Sequence, residues 1–150
     1  MSAWLYRLIN PPVKWLLRSS LHGLMSKNTL LLEFQGRKSG RALSTPISYH
    51  IDGQAAHCFT NRSFGWWRNL ANGQDVRVTI QGKTWRATPE VETNDHDLMS
   101  VQLNAFLKAV PRDASHAGVT LNEGGEPDPS DISRVVSDMV YLKFPLIGQE

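Results

Sequence analysis

The feature that most restricts the fold is a succession of short strand-like segments joined by tight turns through the middle of the chain. Val76, Val78 and Ile80 alternate with Arg77, Thr79 and Gln81, the period-two pattern of a strand with one buried face. Gly82-Lys83 then turns the chain into Thr84 to Val91, where Trp85 and Ala87 alternate with Arg86 and Thr88. Upstream, Thr29 to Phe34 and Ser44 to Ile51 read as strands, the second with Pro46 near its start. Asp52-Gly53 signals a hairpin leading into a strand from Ala55 to Thr60. Sequential strands linked this closely pair antiparallel, so the expected class is mainly β, a barrel or sandwich.

Helical periodicity flanks this region. From Val13 to Met25, apolar Val13, Leu16, Leu17, Leu21, Leu24 and Met25 recur at helical spacing, with Lys14, Arg18 and His22 on the other face. Residues 1–27 are therefore expected to be an amphipathic helical segment packed on a single domain of residues 28–150. It covers a barrel end or a dimer seam; the alternative is peripheral membrane contact through the basic face and flanking tryptophans. A second helix is expected from Asp95 to Val110, capped by Asn94 and burying Met99, Leu103, Phe106 and Val110. Asp128-Pro129-Ser130-Asp131 starts a further short helix, with aspartate as cap and proline in the first turn. Met139 to Phe144 reads as a final strand ended by Pro145, and Asn122 to Pro129 as a surface loop.

Composition narrows the function classes. The 150 residues suit one hydrophobic core. Sixteen lysines and arginines against fourteen acidic residues give a net charge of +2, too small to argue for a nucleic-acid partner. The lone Cys58 rules out an intrachain disulfide, suits a reducing compartment and reads as a core residue. No run approaches the ~20 apolar residues a spanning helix needs. The expectation is a cytoplasmic protein, with the inner face of the cell membrane as the one surface the N-terminal helix could touch. His22, His50, His57, His96 and His116 are too scattered to form a metal motif.

Two segments carry candidate chemistry. In Gly36-Arg37-Lys38-Ser39-Gly40-Arg41, between two strands, glycines permit close backbone approach, arginine grips a phosphate with paired hydrogen bonds, lysine adds a point charge and Ser39 a hydroxyl. Ser44 and Thr45 add two hydroxyls before Pro46. The competing reading is a basic hairpin turn in solvent. In Phe64-Gly65-Trp66-Trp67-Arg68-Asn69-Leu70, the tryptophans either form an apolar wall for a ring system, with Arg68 and Asn69 reaching its oxygens, or plug the barrel while Asn69 caps a turn.

In order and spacing these segments, with Leu30-Leu31-Leu32, Ser44-Thr45-Pro46-Ile47, Asp52-Gly53, Trp66 through Asn72 and Val76-Arg77-Val78, resemble the deazaflavin-dependent nitroreductase family of the FMN-binding split β-barrel superfamily. The similarity spans residues 28 to 91. It implies a six-stranded antiparallel split β-barrel with peripheral α-helices, and an oxidoreductase that passes hydride from a reduced 8-hydroxy-5-deazaflavin coenzyme to a quinone-like or other conjugated small acceptor. By that correspondence Arg37, Lys38, Ser39, Gly40 and Arg41 hold the cofactor's anionic part. Ser44, Thr45 and Pro46 line its edge, and Trp66, Trp67, Arg68 and Asn69 cover or anchor it. Some related reductases present a hydroxyl near the reactive ring in this region, and here Thr60, Asn61 or Ser63 would substitute for it. The short Thr60 to Gly65 loop departs from the family pattern. So does the C-terminal third, where Tyr141 alone remains of a tyrosine cluster. A homodimer is expected. The alternatives are an FMN-dependent oxidoreductase and a non-catalytic cofactor or fatty-acid-binding protein.

Overall fold

The computed structural model describes residues 28–150. The helix expected over Val13 to Met25, and the 1–27 segment containing it, lie outside the described residues. The described chain is mainly β. Its strands are β1 (Thr29–Gln35), β2 (Ala42–Ser48), β3 (His50–Asp52), β4 (Ala55–Asn61), β5 (Val76–Ile80), β6 (Lys83–Ala87), β7 (Glu90–Glu92), β8 (Met139–Pro145) and β9 (Gly148–Gln149). They form two antiparallel sheets, ordered β2-β1-β5-β6-β9 and β3-β4-β8-β7. Where the family resemblance implied six strands there are nine. Three of them, β3, β7 and β9, are only two or three residues long.

One core lies between the sheets. Leu30, Leu32 and Phe34 of β1 and Val76, Val78 and Ile80 of β5 meet Ala56, Cys58, Val140, Leu142 and Phe144 of β4 and β8. The period-two pattern of β5 thus buries the face it indicated. By contrast β4 and β8 are buried on both faces. Their opposite side, with Phe59, Met139 and Tyr141, packs on Met99, Leu103 and Phe106 of helix α1 (His96–Ala109) and on Ile132 and Val135 of helix α3 (Pro129–Val135). A short helix α2 (Ala114–Ala117) lies between them in sequence. None of the described helices is long and apolar enough to cross a membrane.

Two expected strands break where the chain passes from one sheet to the other. Ser44 to Ile51 divides at Tyr49, whose amide donates to Asn28 O at 2.9 Å. Thr84 to Val91 divides at Thr88-Pro89, and Pro89 has no amide to continue a ladder. Both hairpin turns sit one residue later or earlier than expected. Asp52 pairs with Ala55 and Ile80 with Lys83, so the loops are Gly53-Gln54 and Gln81-Gly82. Gln81 and Gly82, with φ of 51° and 80°, both occupy the left-handed region, as a turn matching the twist of a hairpin requires. The α1 cap is Asp95 rather than Asn94: its side chain accepts from Leu98 N at 3.0 Å. Glu92 Oε2 meanwhile takes the amides of Thr93, Asn94 and Asp95, which shifts the helix start by one residue. Asp128 caps α3 as expected, accepting from Ser130 N at 2.8 Å.

Candidate functional site

The β1–β2 ladder ends at the pair Gln35 and Ala42, so Gly36 to Arg41 closes the hairpin. Gly36 N donates to Arg41 O at 2.9 Å and Gly40 N to Gly36 O at 2.8 Å. Ser39 Oγ accepts from Arg41 N at 3.2 Å. Gly40 has φ of 69°, the left-handed region that favours glycine, whereas a Cβ at position 36 would lie 2.7 Å from Ser39 Oγ and require that hydroxyl to shift. The side chains of Arg37, Lys38 and Arg41 are exposed, and no described carboxylate pairs with them. The amides of Lys38 and Ser39 have no acceptor among the described residues. The result is a compact loop carrying three guanidinium or ammonium groups and two uncommitted N–H donors.

This loop is tied to the aromatic segment. Residues Gly65–Leu70 form a 3-10 helix that places Asn69 beside the turn. Asn69 Oδ1 accepts from Arg37 N at 2.8 Å, while Asn69 Nδ2 donates to Trp66 O at 2.9 Å. Sequence reasoning did not find Gln74, which braces the same junction. Its Oε1 accepts from Gln35 N at 2.9 Å, and its Nε2 donates to Gln35 O at 2.9 Å and to Asn69 O at 2.7 Å. The side-chain amide thereby serves Gln35 as a strand partner would. A glutamine carries no local signal of such a role.

The tryptophans face inward. Trp66 lies in the core, 6.0 Å from the Phe34 ring, and its buried Nε1 has no hydrogen-bond partner among the described residues. Trp67 donates from Nε1 to Arg62 O at 3.0 Å, and the exposed Arg68 lays its guanidinium 4.8 Å from the Trp67 ring centre. Ser44 and Thr45 are wholly buried in β2, with Pro46 buried beside them. Thr45 shares the core face with Leu32, whereas Ser44 lies opposite Glu33 on the other face. Thr60 is buried in β4 of the second sheet. Asn61 shapes the loop after it: its Oδ1 accepts from Ser63 N at 2.9 Å and Ser63 Oγ at 2.7 Å. The structure therefore joins Arg37 to Asn69 directly, and leaves Thr60 and Asn61 without a bond to the basic turn.

Two further features surround this arrangement. A cleft of about 500 Å³ opens at the root of the turn, between Gln35, Ala42, Gln74 and the strand pair β5–β6. On the helix-facing side of the second sheet, His57 Nδ1 lies 2.5 Å from Tyr141 Oη and His57 Nε2 3.3 Å from Asp52 O. Burial, reinforced by Glu90, pushes the Tyr141 phenol up to about 12, so it stays a protonated hydroxyl. Asp52 O can only accept, so Nε2 carries the N–H in that pair and, in the neutral imidazole, Nδ1 accepts from the Tyr141 hydroxyl.

Residues 18–108, more than half of the chain, match the family model described as F420H(2)-dependent quinone reductase. No curated protein matches the chain. Solved structures share its fold at low identity. A candidate 5-nitroimidazole antibiotic resistance protein from Bacteroides thetaiotaomicron aligns with a TM-score of 0.60 and 10% identity, over 95% of this chain and 85% of that one. An FAD and heme binding protein from Mycobacterium smegmatis aligns with a TM-score of 0.59 and 14% identity, over 88% and 68%. An FAD-binding protein from Mesorhizobium loti aligns with a TM-score of 0.51 and 12% identity, over 95% and 94%. The chain belongs to the F420H(2)-dependent quinone reductase family and is an oxidoreductase that transfers hydride with a deazaflavin cofactor.

Proposed function

We propose that the Gly36 to Arg41 turn seats the phosphate of reduced F420 and that the acceptor is a small, conjugated, quinone-like molecule. The observation that carries this reading is the Asn69 bond to Arg37 N, which holds an otherwise exposed cationic loop in one place beside the aromatic segment. The donor set fits a phosphate. Arg37, Lys38 and Arg41 supply charge, the uncommitted amides of Lys38 and Ser39 supply directed N–H groups, and Gly36 and Gly40 keep the backbone open. The six longer strands are read as the six of a split barrel, with the two sheets as its halves.

Bound F420H(2) supplies the hydride, and the protein contributes position and environment. Arg37, Lys38 and Arg41 anchor the anionic end. Asn69 and Gln74 hold the loop still, so that ordering it does not consume binding energy. The packed aromatic segment keeps water from one side of the site. No side-chain nucleophile is needed for hydride transfer to a conjugated acceptor.

The test is an anaerobic fluorescence titration with reduced F420, with the phosphate-free 8-hydroxy-5-deazariboflavin and with reduced FMN, on the protein and on Arg37→Ala/Lys38→Ala. Exposed charge-assisted contacts of this kind sum to about a 10- to 100-fold loss of F420 affinity in the variant, with deazariboflavin binding little changed. Equal binding of F420 and deazariboflavin by the unaltered protein would remove the phosphate from the turn. Turnover with quinones, measured by loss of the F420H(2) signal, checks the acceptor class.

A further inference from the structure

We infer that His50 is an acid-sensitive latch, whose protonation releases the edge strand β3 from helix α1 while the rest of the fold stays closed. Antiparallel register sets His50, His57, Lys143 and Glu90 in one row across the second sheet, on the face that α1 covers. The His50 ring lies 5.0 Å from that of His57 and meets Phe106 of α1 edge-on at 5.8 Å. Strand β3 has three residues, pairs with β4 and stands at the edge of its sheet. Ile51 and Asp52 are exposed, so His50 is the residue by which this short strand is held inside.

A neutral imidazole fits this place and a charged one does not. His50 Nε2 is buried and has no hydrogen-bond partner. A protonated ring carries N–H on both nitrogens, which leaves a buried cationic donor with no acceptor. His57 does not supply one, because in its neutral form Nε2–H goes to Asp52 O and Nδ1 takes the Tyr141 hydroxyl. Lys143 of β8 and Glu90 of β7 lie further along the row. Arg112, after α1, lies 3.4 Å from Ser48 Oγ and 3.6 Å from the Asp113 carboxylate. Within α1, Lys108 pairs with Glu126 at 3.2 Å, and His96 and Asp97 stand more than two turns before Phe106. The exposed Asp52 carboxylate is the group that favours a charge on His50. Burial and then His57 outweigh it and hold His50 below its ordinary 6.5.

Release stops at the corner between the sheets. Tyr49 N donates to Asn28 O at 2.9 Å, and Arg112 Nη2 donates to Asn28 O and Thr29 Oγ1 as well as to Ser48 Oγ, so β2 stays on β1. Opening β3 uncovers Phe106 and, behind it, Phe59. One proton links the two forms. The open strand returns His50 to its ordinary 6.5, so the open population is constant above that pH. It rises as pH falls through 6.5, by at most about tenfold per pH unit, until the lower closed value is passed.

The experiment is amide hydrogen exchange followed by NMR from about pH 7.5 to about pH 5, the range over which histidine titrates, expressed as protection relative to an unstructured chain. The His50 ring is titrated in the same samples. Protection of the β3–β4 amides should begin to fall near pH 6.5 and level off where the His50 ring itself titrates. At every pH these amides should exchange faster than Leu32 of β1 and Val78 of β5. Low urea should leave them unchanged while it speeds exchange of the two core amides, because a small local opening exposes little surface. His50→Gln should flatten the fall, and Asp52→Asn should move its levelling-off to lower pH. Exchange of the β3–β4 amides at the core rate and with the core urea response would mean that β3 opens only on global unfolding, and overturns the latch. A fall that persists in His50→Gln assigns it to another group. Even where that variant fails to fold, a fall that does not level off at the His50 titration overturns the assignment in the unaltered protein.

Discussion

Replacing Asn69 with alanine separates the task of holding the turn from that of contacting the ligand. The substitution removes two hydrogen bonds, Asn69 Oδ1 to Arg37 N at 2.8 Å and Asn69 Nδ2 to Trp66 O at 2.9 Å. A protein hydrogen bond contributes about 0.5–1.5 kcal/mol net, and the half-buried setting lets water replace part of each, so the expected stability loss is ~1–2 kcal/mol. That corresponds to a fall in Tm of about 3–8 °C for a domain of this size. The functional effect is larger in proportion. Without its anchor the loop must be ordered when phosphate binds, at ~1 kcal/mol or more per residue fixed, so F420 affinity should drop about five- to tenfold. Deazariboflavin, lacking the phosphate, should bind as before. Asn69→Asp retains an acceptor for Arg37 N but sets a carboxylate beside the anion and against Trp66 O, and should bind F420 less well than the alanine variant at neutral pH. Fluorescence titration with both ligands, alongside thermal unfolding, reads all of this. Equal weakening toward F420 and deazariboflavin in Asn69→Ala would refute the positioning argument.

Three further outcomes follow from the second sheet and its core. Tyr141→Phe leaves the buried His57 Nδ1 without its 2.5 Å partner and should lower stability by ~1–3 kcal/mol in urea unfolding; an unchanged midpoint would refute a net contribution from this bond. His50 is held below its ordinary 6.5, mainly by burial and then by His57, with Asp52 opposing. The unfolded chain therefore binds its proton first, and stability falls as pH drops through about 6.5 until the lower folded value is passed. His50→Gln should flatten that part of the stability profile, and a profile of the same slope would assign the effect elsewhere. Cys58 is fully buried and its thiol is pushed well up by burial, so a thiol reagent should modify the native protein only at the rate of opening. Rapid labelling at neutral pH would contradict its place in the core.

The parts of the fold visible in the sequence are those set by near neighbours. The alternation in β5, the aspartate and proline that start α3, and the stripe from Met99 to Phe106 on α1, with Val110 just past its end, each depend on contacts a few residues apart, and each folds as its pattern indicates. The corners were hidden for the opposite reason. Tyr49 and Pro89 end one sheet and begin the other, and a residue pattern that continues through a corner does not say which partner strand comes next. Pairing order also explains why two hairpin turns moved by one position: register, set by the buried face, chooses which two residues remain in the loop.

The candidate site divides along the same line. Gly36 to Arg41 was legible because its chemistry is contained in consecutive residues. Its rigidity was not, since that comes from Asn69, 32 positions away, and Gln74, 39 positions from Gln35. Nor could the tryptophans be assigned from composition, because a wall for a ligand and a plug for a core use the same residues. In the fold they are core, yet Trp66 keeps one buried N–H unspent, while Asn69 grips both the Trp66 carbonyl and the turn. The hydrophobic core and the basic loop are thus mechanically one unit. A substitution that loosens Trp66 should reach phosphate affinity through Asn69, without touching a single charged residue.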